Sequence, residues 1–158
     1  MSQQQRLLIY TDGASRGHPG PGGYGIVLIW CEVKKVISAG YRLTTNNRME
    51  LLAVIKALES LNRTGLHITI YTDSKYIVDS VQKGWLKTWI ATDFKGGKKN
   101  KDLWLQYNSL ATQHHIRFQW VKGHASNALN NRCDELATRA ADGHQLLTDH
   151  IYEREQGK

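Results

Sequence analysis

Ile9-Tyr10-Thr11-Asp12-Gly13 is the stretch that decides the fold, because its first four residues return later in the chain as Ile70-Tyr71-Thr72-Asp73. Each copy is an apolar segment that ends on an aspartate. If both segments are strands that run the same way in one sheet, we expect their carboxylates to lie together at one edge. Like charges repel strongly where water is partly excluded, so a cation is expected between them.

Alternating and continuous apolar patterns predict five strands. They cover residues 6–12, 24–31, 35–41, 67–73 and 117–121. The first has apolar side chains on both faces and is predicted to be a central strand. Residues 13–25 hold six glycines and both prolines, which predicts a loop that leads into a hairpin. The alternative is a phosphate cradle, but this segment lacks the glycine and lysine spacing of a P-loop, so ATP binding has little support.

Helical periodicity predicts four helices. They cover residues 51–61, 74–81 and 102–110, and a last helix runs from a cap at Asn130 to Ala141. Residues 84–101 show no clean period, and residues 143–158 are polar and predicted to be peripheral. No repeat, low-complexity run or linker divides the chain. We therefore expect one α/β domain over residues 1–158, with its core at about 6–142.

The composition is that of a globular intracellular protein. Of the 158 residues, 41% are hydrophobic and 22% are charged. No apolar run approaches the ~20 residues of a membrane span, and the polar start lacks a signal-peptide layout, which predicts a cytoplasmic protein without membrane contact. Cys31 and Cys133 are the two cysteines, and we expect reduced, partly buried thiols rather than a disulfide.

An excess of basic residues predicts a polyanionic partner. The formal net charge is +7 and the sequence pI is about 9.5. Six of the lysines crowd into residues 83–101, a segment that also contains Trp85, Trp89 and Phe94. Together with Trp104, these aromatic residues either bind a partner or pack the segment, and packing is the preferred interpretation for Trp104.

Glu50 lies on the apolar side of its predicted helix. On a helical wheel it shares the stripe of Ala53, Val54, Ala57 and Leu61, so its side chain is predicted to point toward the sheet. An alternative is that a glutamate in a first helical turn stabilises the positive end of the helix dipole. The sequence leaves both interpretations open.

Four acidic residues on four elements form a candidate metal site: Asp12, Glu50, Asp73 and Asp134. Asp134 lies at the edge of an apolar stripe, where a carboxylate is usually just solvated. As a set, however, oxygen ligands favour Mg²⁺ or Mn²⁺ over Zn²⁺. Two such ions can clamp the attacking and leaving oxygens of a phosphoryl displacement. An acidic centre on a basic protein indicates phosphodiester chemistry on nucleic acid.

Six motifs follow one another along the chain. They are Tyr-Thr-Asp-Gly at 10–13, Gly-His-Pro-Gly-Pro-Gly-Gly-Tyr-Gly at 17–25, Thr-Thr-Asn-Asn-Arg-Met-Glu-Leu at 44–51, Thr-Asp-Ser at 72–74, Trp-Val-Lys-Gly-His at 120–124 and Arg-Cys-Asp-Glu-Leu-Ala at 132–137. In type and order this set resembles the bacterial-type, type 1 ribonuclease H family. The resemblance covers residues 6 to about 142, nearly the whole chain.

The resemblance implies a ribonuclease H-like fold, with a five-stranded mixed sheet in order 3-2-1-4-5 flanked by helices. It implies an endonuclease that hydrolyses the RNA strand of RNA/DNA hybrids and leaves 5′-phosphate and 3′-hydroxyl ends. By position, Asp12 would bridge two Mg²⁺ ions, with Mn²⁺ as a possible substitute, and Glu50, Asp73 and Asp134 would complete their coordination. His124 would move protons or help release the product, tasks to which an imidazole side chain is suited. The alternative interpretation is that His124 is an ordinary surface histidine.

Substrate contacts are also implied by the resemblance. Asn46 and Asn47 would lie at the minor groove of the hybrid, where the ribose hydroxyl identifies RNA, and Thr45 would hold a phosphate of the DNA strand. The implied set is completed by Gly13, Lys75, Trp85 and Trp89. The chain departs from many bacterial members at Ile90, Ala91 and Thr92, where a basic cluster is common, and at His18, Leu43 and Lys75. These departures put the details of substrate contact in question.

Two other classes compete with this interpretation. A different nuclease or integrase core of the same superfamily would carry its carboxylates in other local contexts. A hybrid-binding module without catalysis would be expected to lack at least one of the four carboxylates, and none is missing. No protein partner is indicated, and we expect a monomer.

Overall fold

Five strands form one mixed sheet in the order β3-β2-β1-β4-β5. The computed structural model describes residues 6–122 and 127–156. The strands are β1 (Arg6–Ser15), β2 (Gly20–Trp30), β3 (Val33–Thr44), β4 (His67–Thr72) and β5 (His115–Trp120). The β1–β2 and β2–β3 pairs are antiparallel, whereas β1–β4 and β4–β5 are parallel. The predicted strand order and mixed sheet are confirmed.

Six helices flank this sheet over the described residues. They are α1 (Asn46–Glu59), α2 (Lys75–Gln82), α3 (Trp85–Ala91), α4 (Lys101–Ala111), α5 (Ala128–Ala141) and α6 (His150–Gln156). The main apolar core joins α1 and α4 to one face of the sheet through residues such as Ile9 and Ile26. A smaller cluster on the other face joins Tyr10 and Val27 to Cys133 of α5. The two clusters follow from the alternation of side chains along each strand.

The repeated tetrapeptide is a register match between parallel strands. Ile9 pairs with Ile70 and Tyr10 pairs with Tyr71. Both isoleucines are fully buried. The two tyrosine rings stack with centroids 4.4 Å apart and planes only 8° from parallel. Identical side chains thus lie side by side on both faces of the central pair, which confirms that the two segments are parallel neighbours.

The glycine-rich segment is mostly strand, so the predicted loop over residues 13–25 is too long, although the hairpin into which it leads is confirmed. Strand β1 continues to Ser15 and β2 begins at Gly20. A Cβ at Gly23 would contact the carbonyl oxygen of Ala137, and one at Gly25 would contact that of Cys133. The glycines therefore let the backbone of α5 pack directly on β2, which is a role in close packing rather than in turns.

Three further local predictions need correction. Residues 85–91 form the short helix α3, although no period was visible there. The cap of α5 is Asn127, whose side chain accepts hydrogen bonds from the backbone of Leu129 and Asn130, so Asn130 is not the cap. Of the cysteines, Cys133 is buried but Cys31 is exposed, and the two are not joined by a disulfide, as predicted.

The C-terminal segment is more firmly docked than its polar sequence indicates. The backbone N–H of Leu147 donates to the carbonyl oxygen of Gly40 at 2.8 Å, and that of Arg42 donates to the oxygen of Leu147 at 2.9 Å. Asp149 is buried. The prediction that residues 143–158 are peripheral is therefore wrong for this part of the segment. Among the described helices, none combines the length and apolar character that a membrane crossing needs.

Candidate active site

Asp12 lies inside β1 rather than at its end, opposite Gly25 of β2. Asp73 follows directly on the last residue of β4. The central strand β1 thus continues past the point at which its parallel neighbour β4 ends, and Asp12 lies on that continuation. Asp12 is consequently buried, with 7% of its surface exposed, whereas Asp73 is only partly buried.

Gly13 brings α1 against β1. A Cβ at this position would contact the backbone of Glu50 and Met49, so only glycine permits this approach. The backbone N–H of Gly13 lies 2.6 Å from Oε1 of Glu50 and 2.9 Å from Oδ1 of Asp12, and both oxygens accept from it. One peptide group therefore holds two carboxylates side by side.

Glu50 points inward, as its apolar stripe predicts. The helix is capped by Thr45, whose side chain accepts a hydrogen bond from the backbone of Arg48, and its first turn contains no acidic residue. Glu50 is the fifth residue of α1 and is 4% exposed, so the helix-dipole alternative does not account for it. Its Oε2 atom is buried and has no hydrogen-bond partner among the described residues.

Three carboxylates converge on a single point. Asp12, Glu50 and Asp73 each offer an oxygen, and these oxygens all lie within 4.8 Å of one another. Asp134 lines the same cavity, of about 410 Å³, but stands outside this tight group. The structure therefore places all four predicted carboxylates at one cavity, three of them with oxygens within 4.8 Å of one another and Asp134 at the cavity wall.

The electrostatics of this group favour a bound cation. Burial is the main cause that raises the pKa of Asp12 to about 7. The charges of Asp73 and Asp134 act in the same direction, and the hydrogen bonds with Glu50 and Gly13 oppose the rise. Burial also raises the pKa of Glu50 well above its usual value, with Asp12 as the next contributor. Buried carboxylates with raised pKa values and an unsatisfied oxygen fit a hard divalent ion, which would supply the missing charge and ligand contact.

Most of the predicted substrate-binding residues line the same cavity. Gly13, Asn46, Asn47 and Lys75 all lie on its wall. Thr45 lies beside them as the cap of α1. The cation Lys122 also lines the cavity. The site therefore has an acidic floor with polar and basic groups at its rim, as a polyanionic substrate requires.

Trp85 and Trp89 line a second cavity of about 490 Å³. Asn47 and Tyr76 line both cavities, so the two are adjacent. Lys83 and Lys98 lie over the rings of Trp85 and Trp89, with Nζ 5.4 and 5.8 Å from the respective centroids. Trp85 is 42% exposed, whereas Trp104 is fully buried, which confirms the packing interpretation for Trp104.

Several cavity residues are not predicted from the sequence. Asn130, Asn131 and Tyr76 line the carboxylate cavity. The Oδ1 atom of Asn130 is buried without a hydrogen-bond partner in the described part of the chain. Its position three residues after Asn127 hides this from sequence reasoning, because either asparagine can cap a helix. His124 lies outside the described residues.

Known proteins resemble this chain over most of its length. Residues 4–142 match the family model described as RNase H. A ribonuclease H from Syntrophus aciditrophicus is 48% identical over 153 residues, which are 94% of this chain and 88% of that protein. One from Trichodesmium erythraeum is 48% identical over 155 residues, covering 96% of this chain and 98% of that protein.

Solved structures share the fold. LC9-RNase H1, described as a type 1 RNase H with the type 2 active-site motif, is similar with a TM-score of 0.80 at 28% identity, over 100% of this chain and 83% of that chain. LC11-RNase H1, solved in complex with an RNA/DNA hybrid, is similar with a TM-score of 0.66 at 26% identity, over 86% of this chain and 96% of that chain.

Proposed function

The chain belongs to the RNase H family, and on that premise we propose that it is an endonuclease that hydrolyses the RNA strand of RNA/DNA hybrids to 5′-phosphate and 3′-hydroxyl ends. The observation that carries the proposal is the convergence of Asp12, Glu50 and Asp73 within 4.8 Å at the floor of a cavity rimmed by polar and basic groups. The solved complex of LC11-RNase H1 with a hybrid supports the substrate.

Asp12, Glu50, Asp73 and Asp134 would hold two Mg²⁺ ions, for which Mn²⁺ can substitute. Bound there, the ions would stabilise the charge that builds up on the attacking and leaving oxygens of the phosphodiester. Oxygen-only ligands of this kind suit hard cations. The orphaned Oε2 of Glu50 and the raised pKa of Asp12 support a site that is complete only with a cation.

The protein's own contribution to the chemistry is a fixed geometry. The N–H of Gly13 orients the carboxylates of Asp12 and Glu50 before any ligand binds. Asp12 is placed by the central strand and Glu50 by a packed helix, so neither has to reorganise during the reaction. We assign proton transfer or product release to His124 on the basis of the family motif alone.

Substrate discrimination follows from the first turn of α1. Asn46 and Asn47 are exposed at the cavity rim, where their amides can bind groups of the minor groove, including a ribose 2′-hydroxyl. Thr45 and Lys75 would bind phosphates, and Trp85 and Trp89 would bind the neighbouring backbone from the adjacent cavity. Contacts of this kind are independent of base sequence.

The decisive experiment compares labelled RNA/DNA hybrid, duplex DNA and duplex RNA, each with Mg²⁺ or with chelator. We expect metal-dependent cleavage of the RNA strand of the hybrid only. Asp12→Asn is expected to abolish cleavage while retaining hybrid binding. Cleavage of duplex DNA, or of hybrid in chelator, would overturn the proposal.

We further propose that residues 1–158 form one domain that acts as a monomer. The strand pairs and both apolar clusters join the described elements across a single sheet. Sedimentation at micromolar concentration is expected to give one species of monomer mass, with and without a short hybrid bound. A dimer that loses its activity when it dissociates would contradict this part of the proposal.

A further inference from the structure

Trp120 is a large, partly exposed aromatic residue that the chemistry described so far does not use. It is the last residue of β5, where it pairs with Thr72, and 37% of its surface is exposed. By the alternation of the strand it lies on the same face as the buried Phe118. Because β5 ends at Trp120, the indole extends beyond the strand ends, at the end of the sheet where the carboxylates meet.

Two contacts join this indole to the segment that carries Asp73. Its Nε1–H donates a hydrogen bond to the backbone carbonyl oxygen of Asp73 at 3.2 Å. Its ring lies under the ammonium group of Lys75, whose Nζ is 4.4 Å from the centroid. The N–H edge of the Trp120 ring thus contacts the backbone of Asp73, and the face of the ring contacts the ammonium group of Lys75, two positions further along the chain.

Backbone and cap hydrogen bonds also hold the segment between these contacts. The backbone N–H of Ser74 donates to Oγ1 of Thr72 at 3.1 Å, and the hydroxyl of Ser74 accepts from the backbone of Ile77 at 3.2 Å as the cap of α2. The N–H of Val121 donates to the carbonyl oxygen of Thr72 at 2.9 Å. Trp120 adds its two contacts to this segment, in which Asp73 and Lys75 both line the carboxylate cavity.

The position of Lys75 gives this arrangement a function. A lysine side chain is long and flexible, and a ring beneath its ammonium group restricts where the charge lies. Here the restricted charge faces a cavity whose floor is acidic and whose substrate class is polyanionic. A phosphate of the nucleic-acid backbone would contact a cation at this rim, whereas the carboxylate floor would repel it.

We propose that Trp120 is a positioning residue that fixes the backbone of Asp73 through its N–H and the ammonium group of Lys75 through its ring, so that Lys75 binds one backbone phosphate of the hybrid beside the carboxylate site. This inference rests on the proposed function for the identity of the ligand. It assigns the two contacts to separate tasks, with the hydrogen bond acting on the metal ligands and the ring acting on substrate affinity.

The first test is the salt dependence of hybrid binding, measured by fluorescence anisotropy in chelator. The KCl concentration is varied from about 50 to 300 mM, a range that includes physiological ionic strength. Lys75→Gln is expected to raise Kd about threefold to tenfold and to lower the slope of log Kd against log salt by about 0.7 to 0.9, the loss of one phosphate contact. Lys75→Arg is expected to restore both values. Lys34→Gln, an equal change of charge on exposed β3, is expected to leave the slope unchanged.

The second test separates the two contacts of Trp120. Trp120→Leu removes both and is expected to reproduce the slope of Lys75→Gln, while the double variant shows no further decrease. Trp120→Phe keeps a ring but lacks the N–H, and is expected to keep the slope. Without substrate, Trp120→Phe is expected to weaken Mn²⁺ binding about threefold to tenfold in a calorimetric titration, because a support of a ligand residue is lost.

One measurement does not depend on the folding of a variant at position 120. In the unsubstituted protein, the ε-methylene protons of Lys75 are expected to show an upfield ring-current shift by NMR, and its absence would overturn the proposal. An unchanged salt slope in both Lys75→Gln and Trp120→Leu would also overturn it, even if the unsubstituted protein cleaves hybrid. A protein that binds hybrid with the expected slopes but does not cleave it would refute the proposed function and keep this inference.

Discussion

Asp12 carries a charge whose burial is costly without a cation. Burial and neighbouring carboxylates raise its pKa from 3.8 to about 7. A carboxyl group whose pKa is raised in the folded state stabilises the fold below its unfolded pKa, and that contribution is lost as the pH rises through the folded value. Metal-free protein is therefore expected to lose stability between about pH 4 and pH 7 through this residue.

Asp12→Asn is expected to remove this pH dependence. In chelator at pH 7.5, we expect the variant to be more stable than the unsubstituted protein by on the order of 2 kcal/mol, with the difference vanishing near pH 4. Urea unfolding across this pH range measures it. With saturating Mg²⁺ the order is expected to reverse, since the ion stabilises only the protein that binds it. Equal stability at pH 7.5 in chelator would contradict the assigned cost.

Gly13 is the second residue on which the site depends. Gly13→Ala is expected to destabilise the fold by about 1 to 3 kcal/mol, because a Cβ there contacts the backbone of Glu50 and Met49. It should also weaken Mn²⁺ binding, since α1 must move away from Asp12. Gly143→Ala is the control, because its nearest contact would be the oxygen of Ala140 at 3.3 Å. Similar losses in both variants would contradict this account.

At the scale of elements, Arg48 joins three segments that are distant in sequence. Its five N–H groups donate to Asp102, Asp149 and Asn100, so the guanidinium is fully satisfied although its side chain is only 3% exposed. Burial opposes the charge, but the two carboxylates hold the pKa of Arg48 above its usual value. The start of α1, the start of α4 and the C-terminal segment are thereby held together.

Asp149→Asn is expected to destabilise the protein by about 2 to 4 kcal/mol, because it leaves a buried guanidinium with half of its charge partners. Glu153→Gln is the matched control, since it breaks an exposed arginine pair in the same segment, in which the Arg42 side chain is 60% exposed. Its expected cost is much smaller than that of Asp149→Asn, because exposed ion pairs contribute little to stability. Denaturant unfolding compares the two, and a cost at Glu153 as large as at Asp149 would contradict the ranking.

Helix α3 carries Trp85 at the surface, where its ring can stack on nucleic acid or contact the backbone. Trp85→Ala is expected to raise the Kd for hybrid about tenfold, while the single-turnover cleavage rate at saturation changes by less than about twofold. Leu105→Ala on α4 is the control, because Leu105 has the same exposed fraction of 42%. An unchanged Kd for Trp85→Ala would favour the alternative that the tryptophan only packs its segment.

At the scale of the whole molecule, local patterns predict the parallel pairing of the two repeated segments and the inward direction of Glu50, whereas the strand order and the roles of the four carboxylates rest on the family resemblance. Ile9 and Ile70 predict their own pairing, and the stripe of Glu50 predicts its inward direction. Both signals are periods of two or 3.6 residues that survive in the folded chain.

The parts that cannot be predicted depend on what packs from a distance. Gly23 and Gly25 resemble turn residues until α5, more than a hundred positions later, is seen on them. Helix α3 is 7 residues long, too short to show a period. The partners of Arg48 and the contacts of Trp120 arise from the meeting of separate elements. Tertiary neighbours decide each of these positions.

The pairing of Leu147 with Gly40 and Arg42 also affects the self-association of the protein. Strand β3 is an outer strand of the sheet, and an outer strand with free N–H and C=O groups is a template for another chain. Leu147 occupies two of these groups. Removal of residues 144–158 is therefore expected to promote self-association through β3, visible as concentration-dependent light scattering. We thus expect the docked C-terminal segment to protect the outer strand β3 from aggregation.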